Sequence, residues 1–507
     1  MGIEKMLNAL CKAMYRREYR RFTAPCDVGR VQRERLSELL KRNSDTVYGR
    51  EYGFSEIGGY EEFAQRVPIT VYEDYEPYIK RISEGEEQVL TAEKVRMFEL
   101  TSGSSGGKKL IPYTNSLKKE FQRGIEPWLY DIYTKVDGAD TGSSYWSITP
   151  VTSKKQFAPC GIPIGFEEDT EYFGAVGRLL MKRLFAVDGA VKFADDMQDF
   201  FFRTCEQLLR CRRLTLISVW NPTFLTILCD FIRDNAERLA QTLAPDRLEN
   251  FLKSVAENDF SGVFPDLMII SCWADGSAAD YIADIKARFP NVYLQPKGLL
   301  ATECFVSFPL VGEEGSRLSI YSHFFEFRSL SDGAVVTADR LKKGKYEVIV
   351  TTSGGFYRYC IGDVIEVLEV YSDAPPRIRF LYRNGAFSDM FGEKLTEEFV
   401  RSVCTALGIS DSFCLLAPCG KRYRLYTTAD ISSDRLDKAL CESYHYNYCR
   451  QLGQLDSAEV VAVFGEPKED YIRRLTDDGM RLGDIKPTYL SKKDGWDNYF
   501  RIKNERN

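Results

Sequence analysis

Apolar residues recur at three- and four-residue intervals in several stretches of the chain. Met197, Phe200, Phe201, Cys205, Leu208 and Leu209 form one such stripe, and Leu225, Leu228, Phe231 and Ile232 form another, so both segments are predicted helices. Between them lies Leu214-Thr-Leu-Ile-Ser-Val-Trp220, a short continuous apolar run that suits a strand buried on both faces, as in a parallel sheet. Met268-Ile-Ile270, a helix-like stretch from Ala278 to Phe289, and Val292-Tyr-Leu294 repeat the strand–helix–strand pattern, which makes the middle of the chain α/β. After about residue 320 the texture changes. Tyr346 to Thr352, Val364 to Val370 and Arg377 to Tyr382 follow closely, with Gly354, Gly355, Gly362, Pro375 and Pro376 in the expected turns, and this predicts an antiparallel meander. From Glu393 onward, helix-like stretches (Glu393 to Leu407, Ser433 to Leu452) alternate with strand-like ones (Phe413 to Ala417, Tyr423 to Thr428, Glu459 to Phe464), predicting a small α+β domain. The polar, glycine-containing connection Arg383 to Met390 marks the boundary, so a large domain is expected over 1–383 and a small one over 384–507.

Composition narrows the classes. The 507 residues carry 68 basic and 74 acidic side chains, a formal charge of -6, and this argues against an electrostatic nucleic-acid binder. No apolar run reaches the ~18–20 residues that span a bilayer, and the start, with Arg16, Arg17, Arg20 and Arg21, lacks the apolar core of a signal peptide. A cytoplasmic protein that engages neither membrane nor nucleic acid is expected, and nothing calls for more than a monomer. Two histidines, His323 and His445, exclude a zinc site built on several imidazoles. The fourteen cysteines are scattered with no CxxC pair, the pattern of free thiols in a reducing compartment.

Three runs carry chemistry. Phe98-Glu-Leu-Thr-Ser-Gly-Ser-Ser-Gly-Gly-Lys-Lys-Leu-Ile-Pro112 is a Ser/Thr/Gly loop ending in lysines, which suits a polyphosphate: glycines admit backbone N–H groups, hydroxyls donate, and a lysine adds charge. It is not a Walker A loop, since Ser102 stands where the first glycine is required and Lys109 follows Lys108. In Pro296-Lys-Gly-Leu-Leu-Ala-Thr-Glu-Cys304, Thr302 and Glu303 end an apolar strand-like segment, where open α/β sheets bind ligands, and a glutamate there can hold Mg²⁺ against phosphate. In Gly355-Phe-Tyr-Arg-Tyr-Cys-Ile-Gly-Asp-Val364, Asp363 is read as a turn carboxylate, which either closes its own turn or accepts two ribose hydroxyls.

In this order and at these separations the runs resemble the adenylate-forming superfamily of acyl-CoA synthetases, adenylation domains and luciferases. Within it the chain is most similar to the auxin-responsive Gretchen-Hagen-type acyl acid-amido synthetase family. The branch is marked by Val67-Pro-Ile-Thr-Val-Tyr-Glu-Asp-Tyr-Glu-Pro-Tyr-Ile79, Thr101 to Gly107 with Leu110-Ile-Pro112, Val219-Trp-Asn-Pro222, and Tyr346 to Val364. The resemblance runs from about residue 30 to about residue 400 and is weaker beyond.

The resemblance implies a large adenylate-forming domain, with helix-flanked sheets and a β-meander subdomain, and a small mobile C-terminal lid. It implies that ATP and a small carboxylic acid give an acyl-adenylate and pyrophosphate, and that an amine, typically of an amino acid, then displaces AMP. Carried onto this sequence, Thr101, Ser102, Gly103, Ser104, Ser105, Gly106 and Lys108 or Lys109 would hold phosphates. Ala301 and Thr302 would line the nucleotide, with Thr302 on the α-phosphate, and Glu303 would hold Mg²⁺. Asp363 would bind the ribose, and Arg383 would contact ribose or phosphate. Gly483-Asp-Ile-Lys-Pro487 is similar to the family's Gly-x-x-Lys-x-Pro segment, with Pro directly after the lysine here, and makes Lys486 the candidate that reaches the adenylate. Trp220, Phe224 and Ser147-Ile-Thr-Pro150 sit where members line the acid, and His323 is a further candidate substrate contact. A thioester-forming acyl-CoA synthetase and a non-catalytic ligand-binding relative remain the alternatives.

Overall fold

The computed structural model describes residues 2–101, 109–148, 156–165, 180, 182–383, 387–391, 393–451, 453–480, 482 and 485–502. The chain divides into two compact units: Met1–Asp275 with Ala283–Leu381, and Gly276–Ile282 with Tyr382–Asn507.

The larger unit contains the expected parallel sheet. Strands Ser143–Trp146, Leu214–Ser218, Ile269–Cys272 and Tyr293–Pro296 lie side by side in that order, all parallel. Every residue of Leu214–Ser218 and Ile269–Cys272 is buried, as continuous apolar runs require when both faces of a strand are covered. The amphipathic stripes form the helices Met197–Arg210 and Pro222–Asp234. The first is capped by Asp196, which accepts from the Asp199 N–H, and the second by Asn221, with Pro222 in its first turn. The helix expected over Ala278–Phe289 is instead a 3₁₀ segment, Gly276–Tyr281, followed by the α-helix Ile282–Arg288.

The meander is part of a seven-stranded antiparallel sheet, ordered Val335–Thr337, Phe324–Ser329, Gly344–Thr351, Tyr359–Glu369, Arg377–Arg383, Ser316–Leu318 and Ser307–Phe308. One detail corrects the sequence reading. Gly362 is not in a turn: the strand starts at Tyr359 and passes through it. Glu347 pairs with Val364 while Ile349 pairs with Cys360, so Ile361, Gly362 and Asp363 oppose Val348 alone in a β-bulge. Gly362 has φ 79°, the left-handed region in which glycine is strain-free. Asp363 is therefore presented by a bulge in a buried strand.

The Val67–Ile79 motif is stitched to that strand's beginning. The Thr70 N–H donates to the Arg358 carbonyl, the Cys360 N–H donates to the Thr70 carbonyl, and the Tyr75 hydroxyl bonds both the N–H and the carbonyl of Tyr357. Arg358, at φ 48°, is held in this uncommon conformation by its buried guanidinium. That group contacts both Glu326 carboxylate oxygens and the carbonyls of Ala64 and Val67, all within 3.1 Å.

Helix Asn115–Lys135 packs against helix Ile3–Thr23 and strand Ser307–Phe308. Thr114 caps it by accepting from the Leu117 N–H at 3.0 Å. Glu120, Gly124 and Trp128 are spaced four apart and share one face. Gly124 is dictated by packing, because a Cβ there would fall 2.2 Å from the Phe305 ring.

The smaller unit has its own core around Leu395, Val400, Leu416, Tyr423, Leu425, Leu436 and Tyr446. Strands Cys414–Cys419, Arg422–Thr427, Glu459–Phe464 and Arg501–Ile502 form one sheet, with helices Glu397–Ala406, Ser433–Leu440, Tyr444–Gln451 and Pro467–Asp477. The single helix expected over Ser433–Leu452 is broken after Leu440, where the Ser443 hydroxyl accepts from the Tyr446 N–H and starts a new helix.

Gly124→Ala tests the helix packing. The added methyl must displace Phe305, and we expect a loss of about 1–3 kcal/mol, read as a lower urea midpoint. An unchanged midpoint would show that the helix does not press on Phe305.

Candidate active site

The motif runs are assembled by backbone pairing. Met97–Thr101 and Lys109–Tyr113 form an antiparallel hairpin with Thr101 opposite Lys109, so the intervening loop leaves from a fixed pair of strand ends. Ser102, Gly103, Ser104, Ser105, Gly106 and Lys108 lie outside the described residues, as do Thr149 and Pro150. The Lys109 ammonium is 3.5 Å from Glu73 Oε1 and 4.8 Å from the centre of the Tyr72 ring, so it faces helix Tyr72–Ser83 of the Val67–Ile79 motif.

Ala301, Thr302, Glu303 and Cys304 make a tight turn. Ala301 and Cys304 exchange N–H···O=C bonds of 3.0 and 3.2 Å, leaving Thr302 and Glu303 at its tip. The Tyr113 hydroxyl, from the end of the loop hairpin, donates to the Thr302 carbonyl. The Tyr359 hydroxyl, at the head of the bulged strand, donates to Glu303 Oε1 at 3.4 Å. Two tyrosines thus join the loop hairpin, the Thr302–Glu303 turn and the strand bearing Asp363. Glu303 and Asp363 are both buried. Among the described residues no group of three or more His, Cys, Asp and Glu forms a metal site by itself.

His323, expected as a substrate contact, packs inside the protein. It is fully buried, and its Nε2 accepts from the Phe305 N–H at 2.9 Å, which secures the residue two beyond Glu303. Nδ1 lies 2.9 Å from Glu120 Oε2, within ion-pair distance though not aligned as a hydrogen bond. Burial, then Arg35 and Arg123, pushes its pKa well below the ordinary 6.5, so the ring is neutral. Since Nε2 accepts, the proton belongs on Nδ1, facing Glu120. Glu120 is also ion-paired with Arg35 and receives the Ser353 N–H and hydroxyl. Gln32 completes the support: its amide donates to the Ile320 and His323 carbonyls and accepts from the Phe325 N–H. The cluster holds the back of the Thr302–Glu303 turn.

Trp220 follows strand Leu214–Ser218 and is half-buried, tilted against Trp273 with ring centres 5.7 Å apart. Phe224 is buried in helix Pro222–Asp234. Arg383 is exposed at the end of strand Arg377–Arg383. In the smaller unit Lys486 has an exposed side chain, and its carbonyl accepts from the Tyr471 hydroxyl at 2.8 Å. Sequence reasoning missed Tyr113, Tyr359, Glu120 and Lys297. Lys297 was within reach of it, because it stands at the start of the Pro296–Cys304 run, three residues past the predicted strand Val292–Leu294.

A neutral buried imidazole has a definite pH signature. Below pH 6.5 the unfolded chain binds a proton at His323 that the native state does not, so native stability falls as pH falls, by about 1 kcal/mol per pH unit. His323→Gln keeps an acceptor for the Phe305 N–H without this proton. Urea unfolding at pH 7.5 and pH 5.5 should therefore show wild type losing about 1 kcal/mol more than the variant. Equal losses would contradict a neutral His323.

The likeness to known proteins follows the same lines. A model of the GH3 family N-terminal domain matches residues 20–258, and one of the GH3 family central domain matches residues 317–383. Indole-3-acetic acid-amido synthetase GH3.3 of Arabidopsis thaliana is 23% identical over 446 residues, 78% of this chain and 73% of its own. Jasmonoyl-L-amino acid synthetase JAR6 of Nicotiana attenuata is 24% identical over 432 residues, 73% of this chain and 72% of its own. The solved structure of AtGH3.15 acyl acid amido synthetase in complex with 2,4-DB superposes with a TM-score of 0.80 over 99% of this chain and 98% of that one, at 18% identity, and so shares the fold. With the two family models together covering more than half of its length, the chain belongs to the GH3 family.

Proposed function

We propose that the chain is an AMP-forming ligase that uses ATP to activate a small carboxylic acid and passes the acyl group to an amine, an amino acid, as an amide. The observation that carries this reading is the junction of the Thr101–Lys109 hairpin with the Thr302–Glu303 turn through the Tyr113 hydroxyl, in a chain whose relatives are amido synthetases along most of its length. The amine is preferred to a thiol because the matched relatives are named for amide and amino-acid products.

In the first step a carboxylate oxygen attacks the α-phosphorus, and the bond to pyrophosphate breaks with its electrons leaving on pyrophosphate. In the second the amine nitrogen attacks the acyl carbonyl, the bond to AMP breaks, and the amine loses a proton. Anion attacking anion needs charge neutralisation above all. Thr101, Ser102, Ser104, Ser105 and Lys108 or Lys109 are assigned to the phosphates, Thr302 to the α-phosphate, Asp363 to the ribose, and Arg383 to ribose or phosphate. Lys486 is assigned to the adenylate. Mg²⁺, when bound, supplies further neutralisation of phosphate charge, and Glu303 suits it as a buried carboxylate offering hard oxygen donors. Fourteen free thiols fit a reducing cytoplasm, the charge of -6 fits a protein that does not bind nucleic acid electrostatically, and the reading takes the chain as a monomer acting on small molecules away from the membrane.

ATP–pyrophosphate exchange across aryl, indolyl and aliphatic acids tests the reading. Exchange should require an acid, AMP release should rise with pooled amino acids and not with coenzyme A, and Glu303→Gln should lower exchange by about 10²-fold or more. Stimulation by coenzyme A alone would replace the amide with a thioester, and acid-independent silence would end the ligase reading. Lys486→Ala should slow exchange by about tenfold or more without weakening ATP binding. Unchanged exchange and amide formation would remove that lysine from the reaction.

A further inference from the structure

The carboxyl ends of the four parallel strands converge on one residue, Lys297. Lys297 directly follows strand Tyr293–Pro296, and its N–H donates to the Cys272 carbonyl at the end of the neighbouring strand, at 2.8 Å. Its buried Nζ donates to the hydroxyl of Ser218, the last residue of a third strand, also at 2.8 Å. Trp146 ends the fourth strand, and its ring centre is 5.8 Å from Nζ. The Trp128 and Trp220 rings are each 4.9 Å away. All three distances lie within the ~6 Å over which an indole face attracts a cation. Trp128 is fixed in turn by donating its indole N–H to Gln295 Oε1 at 2.8 Å. Trp146, Trp220 and Trp273 are half-buried, so this group reaches from the buried ammonium to an accessible aromatic edge.

Ligands of open α/β sheets bind outside the carboxyl ends of the strands, which is where this group lies. Lys297 also stands five residues before Thr302. Gly298 fixes the path between them, because a Cβ there would fall 2.0 Å from the Ser307 carbonyl oxygen. Lys297 and the turn therefore belong to one short segment held close to the strand that carries Ser307. We propose that Lys297 holds the carboxylate of the acid before adenylation and that Trp146, Trp220 and Trp273 wall the flat apolar body attached to it. This rests on the acid-activating reading above. It gives the acid a charge-assisted contact at one end and aromatic surface at the other.

The tryptophans supply a readout that needs no turnover, since four of the chain's five belong to this group. Phenylacetate and 4-phenylbutyrate, with their primary amides as uncharged controls, are titrated against intrinsic fluorescence without ATP. The acids should bind saturably and about 10- to 100-fold more tightly than the amides, the range of a charge-assisted contact. Lys297→Met should remove that preference, Lys297→Arg should restore part of it, and both should bind ATP as wild type does. In exchange assays Lys297→Met should raise KM for the acid more than it lowers kcat. The proposal is overturned if neither acid binds, if wild type binds acids and amides alike, or if Lys297→Met keeps the wild-type affinity and KM. Should Lys297→Met fail to fold, the comparison of acid with amide on wild type and the Lys297→Arg variant still decides it. Charge-selective binding without acid-dependent exchange would uphold the role of Lys297 and overturn adenylation. Exchange indifferent to Lys297 would do the reverse.

Discussion

One face of one helix sets the geometry on which the rest depends. Glu120, Gly124 and Trp128, each four residues from the last, meet three different parts of the candidate site. Glu120 binds Arg35 and Ser353 and faces His323, which in turn holds the Phe305 N–H. Gly124 leaves room for the Phe305 ring and for nothing larger. Trp128 lays its indole against the Lys297 ammonium. A buried carboxylate is tolerable only when its oxygens are satisfied, and satisfying Glu120 binds two helices, a loop and a strand entrance to the Thr302–Glu303 turn. The turn's stiffness is borrowed from that cluster.

This arrangement suits the chemistry proposed. A reaction between two anions gains most from donors and charges that do not reorganise when it occurs. The turn is closed by its own backbone bonds, buttressed by His323 and tied at its tip to Tyr113 and Tyr359. His323 contributes by staying uncharged and buried, which explains how a protein with two histidines devotes one to scaffolding. The bulge at Gly362 is a comparable device, turning Asp363 out of regular pairing without ending the strand.

Much of this was legible in the sequence where the signal is local. The buried parallel strands announced themselves as unbroken apolar runs, and the Ser/Gly loop, Thr302–Glu303 and Asp363 were recognisable from residues within a few places of one another. What was illegible is long-range. Glu120 and Ser353 are separated by 233 positions, and Gln32 and Phe325 by 293, so nothing near either residue foretells the bond. The buried setting of His323 was illegible because a histidine's neighbours in sequence do not reveal whether it meets solvent or a buried carboxylate. Gly362 was misread because a glycine before an aspartate marks a turn and a bulge equally well. Lys297 went unnoticed because its surroundings come from three other strands and a helix, although its position just past a strand end was visible.

The most direct test of the account is the fate of the acid's own oxygen. If the carboxylate attacks the α-phosphorus, an acid labelled with ¹⁸O in its carboxyl group must deliver one labelled oxygen to AMP when the amine displaces it. Mass spectrometry of the AMP formed during amide synthesis should find that single label. Unlabelled AMP, or label recovered in inorganic phosphate alongside ADP, would mean that the acid is activated by another route and that an acyl-adenylate is not the intermediate.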